Sequence, residues 1–360
     1  MDSETAPASI TVDEDGDLIL LVGSEAQTRI LVSSKVLTIS SKVFKAMLSK
    51  SFKEARELAE SANNNETYEL QLPDDDAAAM IVLCKVIHHR SCDVLAESVT
   101  MSLLQKFASH VHKYDCIEAA RVQVVSDWIV KFADDPDQTL GLAVVSYLLD
   151  IAESFTKFTR LMLMNDQIEV VTVREAWDTA HQIPETVFEI LKEKRQAAFE
   201  FISEKISQRL DGVMNRIPCL SREHGLDSPG RFFTQHDARL AQRFFMSMRV
   251  RISWPHRIQD RSLHGTLIEL CKIRDEAKNT GKVYERCAAC ETSLGQHLTQ
   301  IIDGAEAAIQ GVCLDCLRHK GDPEKECRVQ HEAKAKAIIE EREKYRLVFE
   351  AKKRGITLWV

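Results

Sequence analysis

Nowhere in the 360 residues do about 18 apolar residues run together, so the chain encodes no transmembrane helix. Its opening stretch, MDSETAPASITVDEDGD, holds acids and no base. A signal peptide needs a basic start and an apolar core, and a transit peptide is rich in Arg, so neither is expected. The address that follows is intracellular, cytoplasm or nucleus. In that reducing medium the ten cysteines are thiols or metal ligands before they are disulfides. Aromatic residues make up only 6%, which gives no hint of a surface for stacking bases. Catalytic signatures are missing as well: no G-x-S-x-G, no P-loop, no G-x-G-x-x-G and no H-E-x-x-H. The chain is read as non-enzymatic, and it contains no internal repeat.

What is present belongs to a globular protein. Hydrophobic residues are 44% and charged residues 28%, and the length suits two or three domains. The net charge of −8 is unevenly placed: residues 1–134 hold 13 Lys and Arg against 21 Asp and Glu, and residues 135–360 hold 34 of each. The first part therefore carries the whole excess, which argues against its binding a polyanion. Residues 216–286 are locally basic, with 14 Lys and Arg against 8 Asp and Glu. A phosphate-binding or partner-binding face is one reading; a solvated, salt-bridged helical surface is the favoured one.

The organising stretch runs from Gly16 to about Val130. Asp17 to Val22 is a short apolar run closed by Gly23, as a buried strand should be. Thr28 to Val32 forms a second strand, and the two make a hairpin. Val36, Leu37, Ile39, Val43, Phe44, Met47 and Leu48 then step by three and four, the spacing of helices with one apolar face. Glu60 to Thr67, a polar stretch with three consecutive Asn residues, is expected to be a surface loop. Tyr68 to Leu72 alternates as a half-buried strand, and Pro73-Asp74 stops it. Asp74, Asp75 and Asp76 sit where a helix dipole favours negative charge, ahead of a helix through Met80, Ile81, Leu83, Cys84, Val86 and Ile87. His88 and His89 are adjacent and His110 and His112 are two apart, so neither pair shares a helical face as metal ligands would.

The order and spacing of these blocks resembles a BTB/POZ domain. The resemblance rests on the Asp-plus-apolar first strand, on Val36-Leu37…Ser41-x-Val43-Phe44-x-x-Met47-Leu48, and on the strand–Asp–helix block from Tyr68. His88-His89 and His112-Lys113-Tyr114 sit where the family closes its fourth and fifth segments. Ser34-Lys35 stands where many animal members carry a His, and the segment is similar to fungal versions that read V-S-S-K-V-L. The resemblance implies self-association, as a homodimer, or recruitment of other proteins. Some members are substrate adaptors of cullin-type ubiquitin ligases, whose hydrophobic–x–Glu element touches the cullin scaffold; Phe52-Lys53-Glu54 matches that element here, which names Phe52 and Glu54 as partner-binding residues.

Beyond Ala133-Asp134-Asp135-Pro136-Asp137, apolar residues return at helical spacing from Leu140 to Leu161. A long helix is expected from Pro184 to about Leu210, loops around Pro218 to Pro229, and another helix from Leu263 to Ala277. Cys287-x-x-Cys290 and Cys313-x-x-Cys316 follow. Two residues between cysteines let both thiolates reach one ion, and two such pairs supply the four soft ligands of tetrahedral zinc. The 22 residues between the pairs slightly exceed the usual roughly 15–20, and a short helix over Ala305 to Gln310 could fill the gap. Cys327, His319 and His297 are alternative ligands; ordinary reduced thiols are the rival reading. Neither pair sits in a thioredoxin-like context.

The expectation is an α+β chain. A disordered tail over 1–14 precedes a BTB/POZ fold over 15–134, a small mixed sheet flanked by helices. Mainly α-helical sequence follows, with a helical region over 137–215, an Arg-rich region over 216–286, a possible zinc-stapled segment over 287–330, and a charged helix over 331–360. The expected role is that of a dimerising scaffold or adaptor that binds proteins and no membrane. The alternative is a nuclear transcription or chromatin regulator that binds through the Arg-rich region.

Overall fold

The computed structural model describes residues 9–24, 27–49, 52–64, 67–94, 98–123, 128–165, 183–214, 235–279, 288–319 and 326–329. They form a mostly helical α+β structure with one small mixed sheet. The chain divides into two compact units, Met1–Phe158 with Asp178–Ile183 and Thr159–Trp177 with Pro184–Val360.

The first unit is built on four strands: β1 (Ser9–Thr11), β2 (Leu18–Val22), β3 (Thr28–Val32) and β4 (Tyr68–Leu72), in the order β1-β3-β2-β4. β2 and β3 form the expected antiparallel hairpin, with Leu18 opposite Val32. β4 returns parallel to β2, with Leu18 opposite Tyr68. Leu70 and Leu72 of β4 are buried while Glu69 and Gln71 are exposed, the period of two that its sequence carries. β1 was expected to be tail. Instead it pairs in parallel with β3, Ile10 opposite Ile30, and Val12 behind it is buried. The β-branched run Ile10-Thr11-Val12 covers an otherwise open sheet edge.

Helices α1 (Ser34–Ser40), α2 (Lys42–Met47), α3 (Lys53–Asn63), α4 (Ala77–Ile87), α5 (Met101–Lys113), α6 (Ile117–Gln123), α7 (Ile129–Phe132), α8 (Thr139–Leu148) and α9 (Ala152–Met164) follow. Their starts obey local rules: Ser41, Asp76 and Thr100 each accept a backbone N–H three residues on, at 2.9, 3.0 and 3.2 Å. Their ends share a device. α4, α5 and α8 close on His89, Asp115 and Asp150, all with positive φ. In each case the next N–H reaches back five residues, as in Arg90 N–H to Lys85 O at 2.8 Å.

Phe44 is fully buried and stacks on Tyr114 with centroids 4.4 Å apart. Ser41 joins the same two segments, donating from Oγ to Tyr114 O. Ile39, read as part of the apolar face, is 76% exposed; α1 is too short to bury residues on both sides. Pro136 opens a 3₁₀ turn, Pro136–Gln138, with Asp135 accepting from Asp137 N–H at 3.0 Å. The first unit then continues through α8, which lies close against α5. A Cβ on Gly141 would stand 2.6 Å from Gln105 Nε2, so a larger residue there would require the Gln105 side chain to shift.

The second unit is helical in its described residues: α10 (Glu185–Met214), α11 (Gln235–Ile252), α12 (Leu263–Asn279), α13 (Ala288–Ala308) and α14 (Leu314–Arg318). α10 packs on α11 and α13, and α12 packs on α13. Leu191, Ile202, Ile206, Met248, Leu270 and Leu298 fill the middle. Trp254-Pro255 is a cis turn between α11 and α12. α13 is one helix of 21 residues where a short one was expected. Residues 331–360, expected to be a charged helix and tail, lie outside the described residues. No helix among the described residues is long and apolar enough to cross a membrane.

Candidate functional site

Two places hold the residues singled out from the sequence. The first surrounds Phe52. Its N–H donates to Ser49 O at 3.0 Å, and its ring stands half in solvent at the mouth of α3. Glu54 lies in the first turn of α3, where an acid suits the helix dipole. The helix behind them is tied down. Tyr68 OH on β4 donates to Glu57 Oε2 at 2.9 Å, and Lys53 pairs with Glu57 at 3.1 Å. The Tyr68 hydrogen bond and Lys53 together hold the Glu57 carboxyl below its usual range. Burial and the Glu57 acceptor push the Tyr68 phenol up. An exposed ring and an acid are thus presented by a helix start anchored to the sheet.

The histidines of this unit are structural. His88 Nδ1 donates to Cys84 O at 2.8 Å, and its Nε2 accepts from Ser33 N–H at 3.1 Å. Burial pushes its pKa below the usual value, so the neutral ring ties the end of α4 to the start of α1. His110 is fixed the same way: Nδ1 donates to Lys106 O at 2.7 Å, and Nε2 accepts from Asp76 N–H at 3.2 Å. Its Nε2 also lies 3.2 Å from Asp75 Oδ1, but the ring cannot accept from Asp76 and donate to Asp75 at once. Asp75 is instead held by Tyr114 OH and by Lys113 Nζ at 2.7 Å. Burial alone would raise its carboxyl; His110 beside it, Lys113 and Tyr114 together outweigh burial and hold it well below the usual carboxylate range.

The second place is in the helical unit. Cys313, Cys316 and Cys327 bring their sulfurs within 4.8 Å of one another, with Cys316 Sγ 3.4 Å from Cys327 Sγ. Cys313 and Cys316 were named from their spacing, and Cys327 was an alternative. Cys287 and the side chain of Cys290 lie outside the described residues. His297 is elsewhere, its Nε2 facing Lys205 O at 3.4 Å, and His319 caps the end of α14 without joining the cluster. Between the paired cysteines sits Asp315, buried to 5% exposure. Its carboxylate accepts from the backbone N–H of Arg328 at 2.8 Å and from Nη2 of Arg328 at 2.6 Å. That ion pair holds the Asp315 carboxyl below its usual value. Burial, the Cys327 contact and the nearby Cys313 push the Cys316 thiol up to about 12. Burial lowers the pKa of Lys194, half-buried on α10, and the charges of Cys313 and Cys316 work the other way.

Among the described residues of the basic stretch, several cations pair within it. Arg251 pairs with Glu276 at 2.6 Å and Glu269 at 3.6 Å, Arg257 with Asp260 at 2.6 Å, and Arg274 with Asp275 at 2.9 Å. These are ion pairs of a solvated helical surface. No family model matches the chain, and no curated protein matches it.

Proposed function

We propose that the first unit is a BTB/POZ-type interaction module and that the chain acts as an adaptor or dimerising scaffold, binding rather than reacting. The observation that carries the reading is Phe52, a half-exposed ring at the start of a helix that Glu57 and Tyr68 bind to the sheet. A large apolar side chain on a fixed support is what a protein interface uses as an anchor. Glu54, in the first turn of the same helix, supplies the charge that gives such a contact direction. The parallel return of β4 onto β2 and the buried Phe44–Tyr114 stack support the same reading. They join blocks far apart in sequence into one sheet-and-helix body, as the family resemblance requires. A cullin-type scaffold is the partner that Phe52-Lys53-Glu54 points to. In this reading a zinc ion in the second unit would be a structural staple. The internal pairing of the Arg side chains gives the nucleic-acid alternative no comparable support.

The test is a pull-down of the intact protein beside Phe52→Ala and Glu54→Ala. A cullin-type scaffold is expected to co-purify with the native chain, and each change is expected to cut its recovery at least about tenfold. Recovery of no such scaffold, or equal recovery by the double variant, would overturn the adaptor assignment.

A further inference from the structure

We propose that Cys313, Cys316 and Cys327 hold one thiophilic dication of the zinc type, and that the Asp315–Arg328 ion pair is the positioning contact that presents Cys327 to it. Sulfurs on a tetrahedral zinc, about 2.3 Å from the metal, stand roughly 3.8 Å apart. The three sulfurs here lie within 4.8 Å, and the nearest pair is at 3.4 Å, so little movement is needed to close them on an ion. On binding, three S–H bonds break and three Zn–S bonds form, and the protons pass to solvent. Three thiolates around a dication leave one negative charge.

Cys327 is eleven residues beyond Cys316 and belongs to no paired motif with it. What brings it in is its neighbour. Arg328 meets Asp315 with its backbone N–H and its guanidinium together, and Asp315 is one of the two residues between the paired cysteines. The two-point grip fixes residue 328 against the start of α14, and so fixes residue 327 beside it. Contacts of this kind behind a metal ligand are generally worth about 10–100-fold in affinity.

The spacing of cysteines suggested a different set, and the helix rules it out for Cys290. From Cys290 to Ala308 the backbone is α-helical, and Ile309 N–H still bonds Ala305 O at 2.9 Å. At about 1.5 Å per residue that segment rises roughly 28 Å. The four residues from Ile309 to Cys313 reach at most about 14 Å. A gap of roughly 14 Å or more remains between backbones, beyond the reach of two thiolates on one ion. Neither Phe52 nor Glu54 takes part, so this site stands or falls apart from the adaptor assignment.

The experiment is titration of the reduced, metal-free full chain with cobalt(II) alone, followed by displacement with zinc. The native chain is expected to take about one ion, with an intense thiolate-to-cobalt charge-transfer band. Cys316→Ser and Cys327→Ser should each weaken binding at least about tenfold, Asp315→Asn about 10–100-fold, and Cys290→Ser not at all. Circular dichroism checks that each variant is folded. In the native chain, zinc should also shield Cys316 and Cys327 from alkylation by iodoacetamide, read by mass spectrometry, which needs no variant. A folded native chain with no band, or zinc that leaves the alkylation of both cysteines unchanged, would overturn the site. So would a band that survives Cys327→Ser and disappears with Cys290→Ser. An Asp315→Asn chain that binds as tightly as the native one would remove the positioning role while leaving the ligands in place.

Discussion

The two units keep their shape by different means. In the first, polar side chains do local and long-range work together: Ser41 caps α2 and also ties down Tyr114 O, and Asp76 caps α4 while Lys106 pairs with it at 2.7 Å. Asp75 gathers Lys113 and Tyr114 under the end of β4. In the second, long helices meet mainly through apolar side chains, with Arg251 bridging to Glu269 and Glu276, and three sulfurs gather beside the Asp315–Arg328 pair. A sheet with short helices needs its loops pinned by hydrogen bonds. A helical body built on a 30-residue helix needs no such pins along its length. Its clustered cysteines stand at the start of its last short helix, within it and beyond it.

The difference can be broken from either side. Replacing Asp75 by Ala should have the largest effect, about 3 kcal/mol of lost stability in the first unit, because Tyr114 OH loses its buried acceptor and Lys113 its counter-charge. Thermal or urea unfolding followed near the Tyr114 ring would measure it. The pH dependence has a definite sign. The Asp75 carboxyl is held below its unfolded value, so its contribution is complete above roughly pH 4 and is lost as pH falls below that value. A native chain as stable at pH 2.5 as at pH 7 would contradict this account. Zinc should act on the other side. At about 100 times its dissociation constant it should add about 2.7 kcal/mol to the second unit, seen as hydrogen-exchange protection around α14. The first unit, where no such cluster occurs among the described residues, should gain nothing. The smallest change expected is at His89, an exposed residue with φ of 59°. Glycine there should stabilise the chain by at most about 1 kcal/mol, since it removes the left-handed strain at some cost in unfolded-state freedom.

Much of the first unit could be read directly because its signals are local. Gly23 after an apolar run, the alternation of Tyr68 to Leu72 and the Asp before α4 each act within a few residues. Ser9–Thr11 was missed because its meaning lies in Ile30, some twenty residues away, and a short acidic leader looks like tail until that partner is known. Ile39 was misjudged because helical spacing says which residues share a face, not how long the helix is. In the second unit the long helix starting at Glu185 was visible from its apolar period. The cysteine trio was only half visible. A C-x-x-C pair is a spacing signal, whereas Cys327 depends on an Asp–Arg contact that no periodicity announces. The gap between the two pairs hid a second feature: read as loop and short helix it makes four ligands plausible, whereas a continuous helix runs from Cys290 to Ala308.

The parallel pairing of β1 has a practical consequence for anyone cutting the gene. A chain begun at Asp15 would keep every residue of the hairpin yet leave the outer side of Thr28–Val32 with bare amides and carbonyls. Val12 O would no longer be there to receive Arg90 Nη1, which it does at 2.8 Å. Such a fragment would be sticky at that margin, prone to joining strands with its own copies. A few modest residues near the start therefore decide whether the protein stays dispersed in a tube.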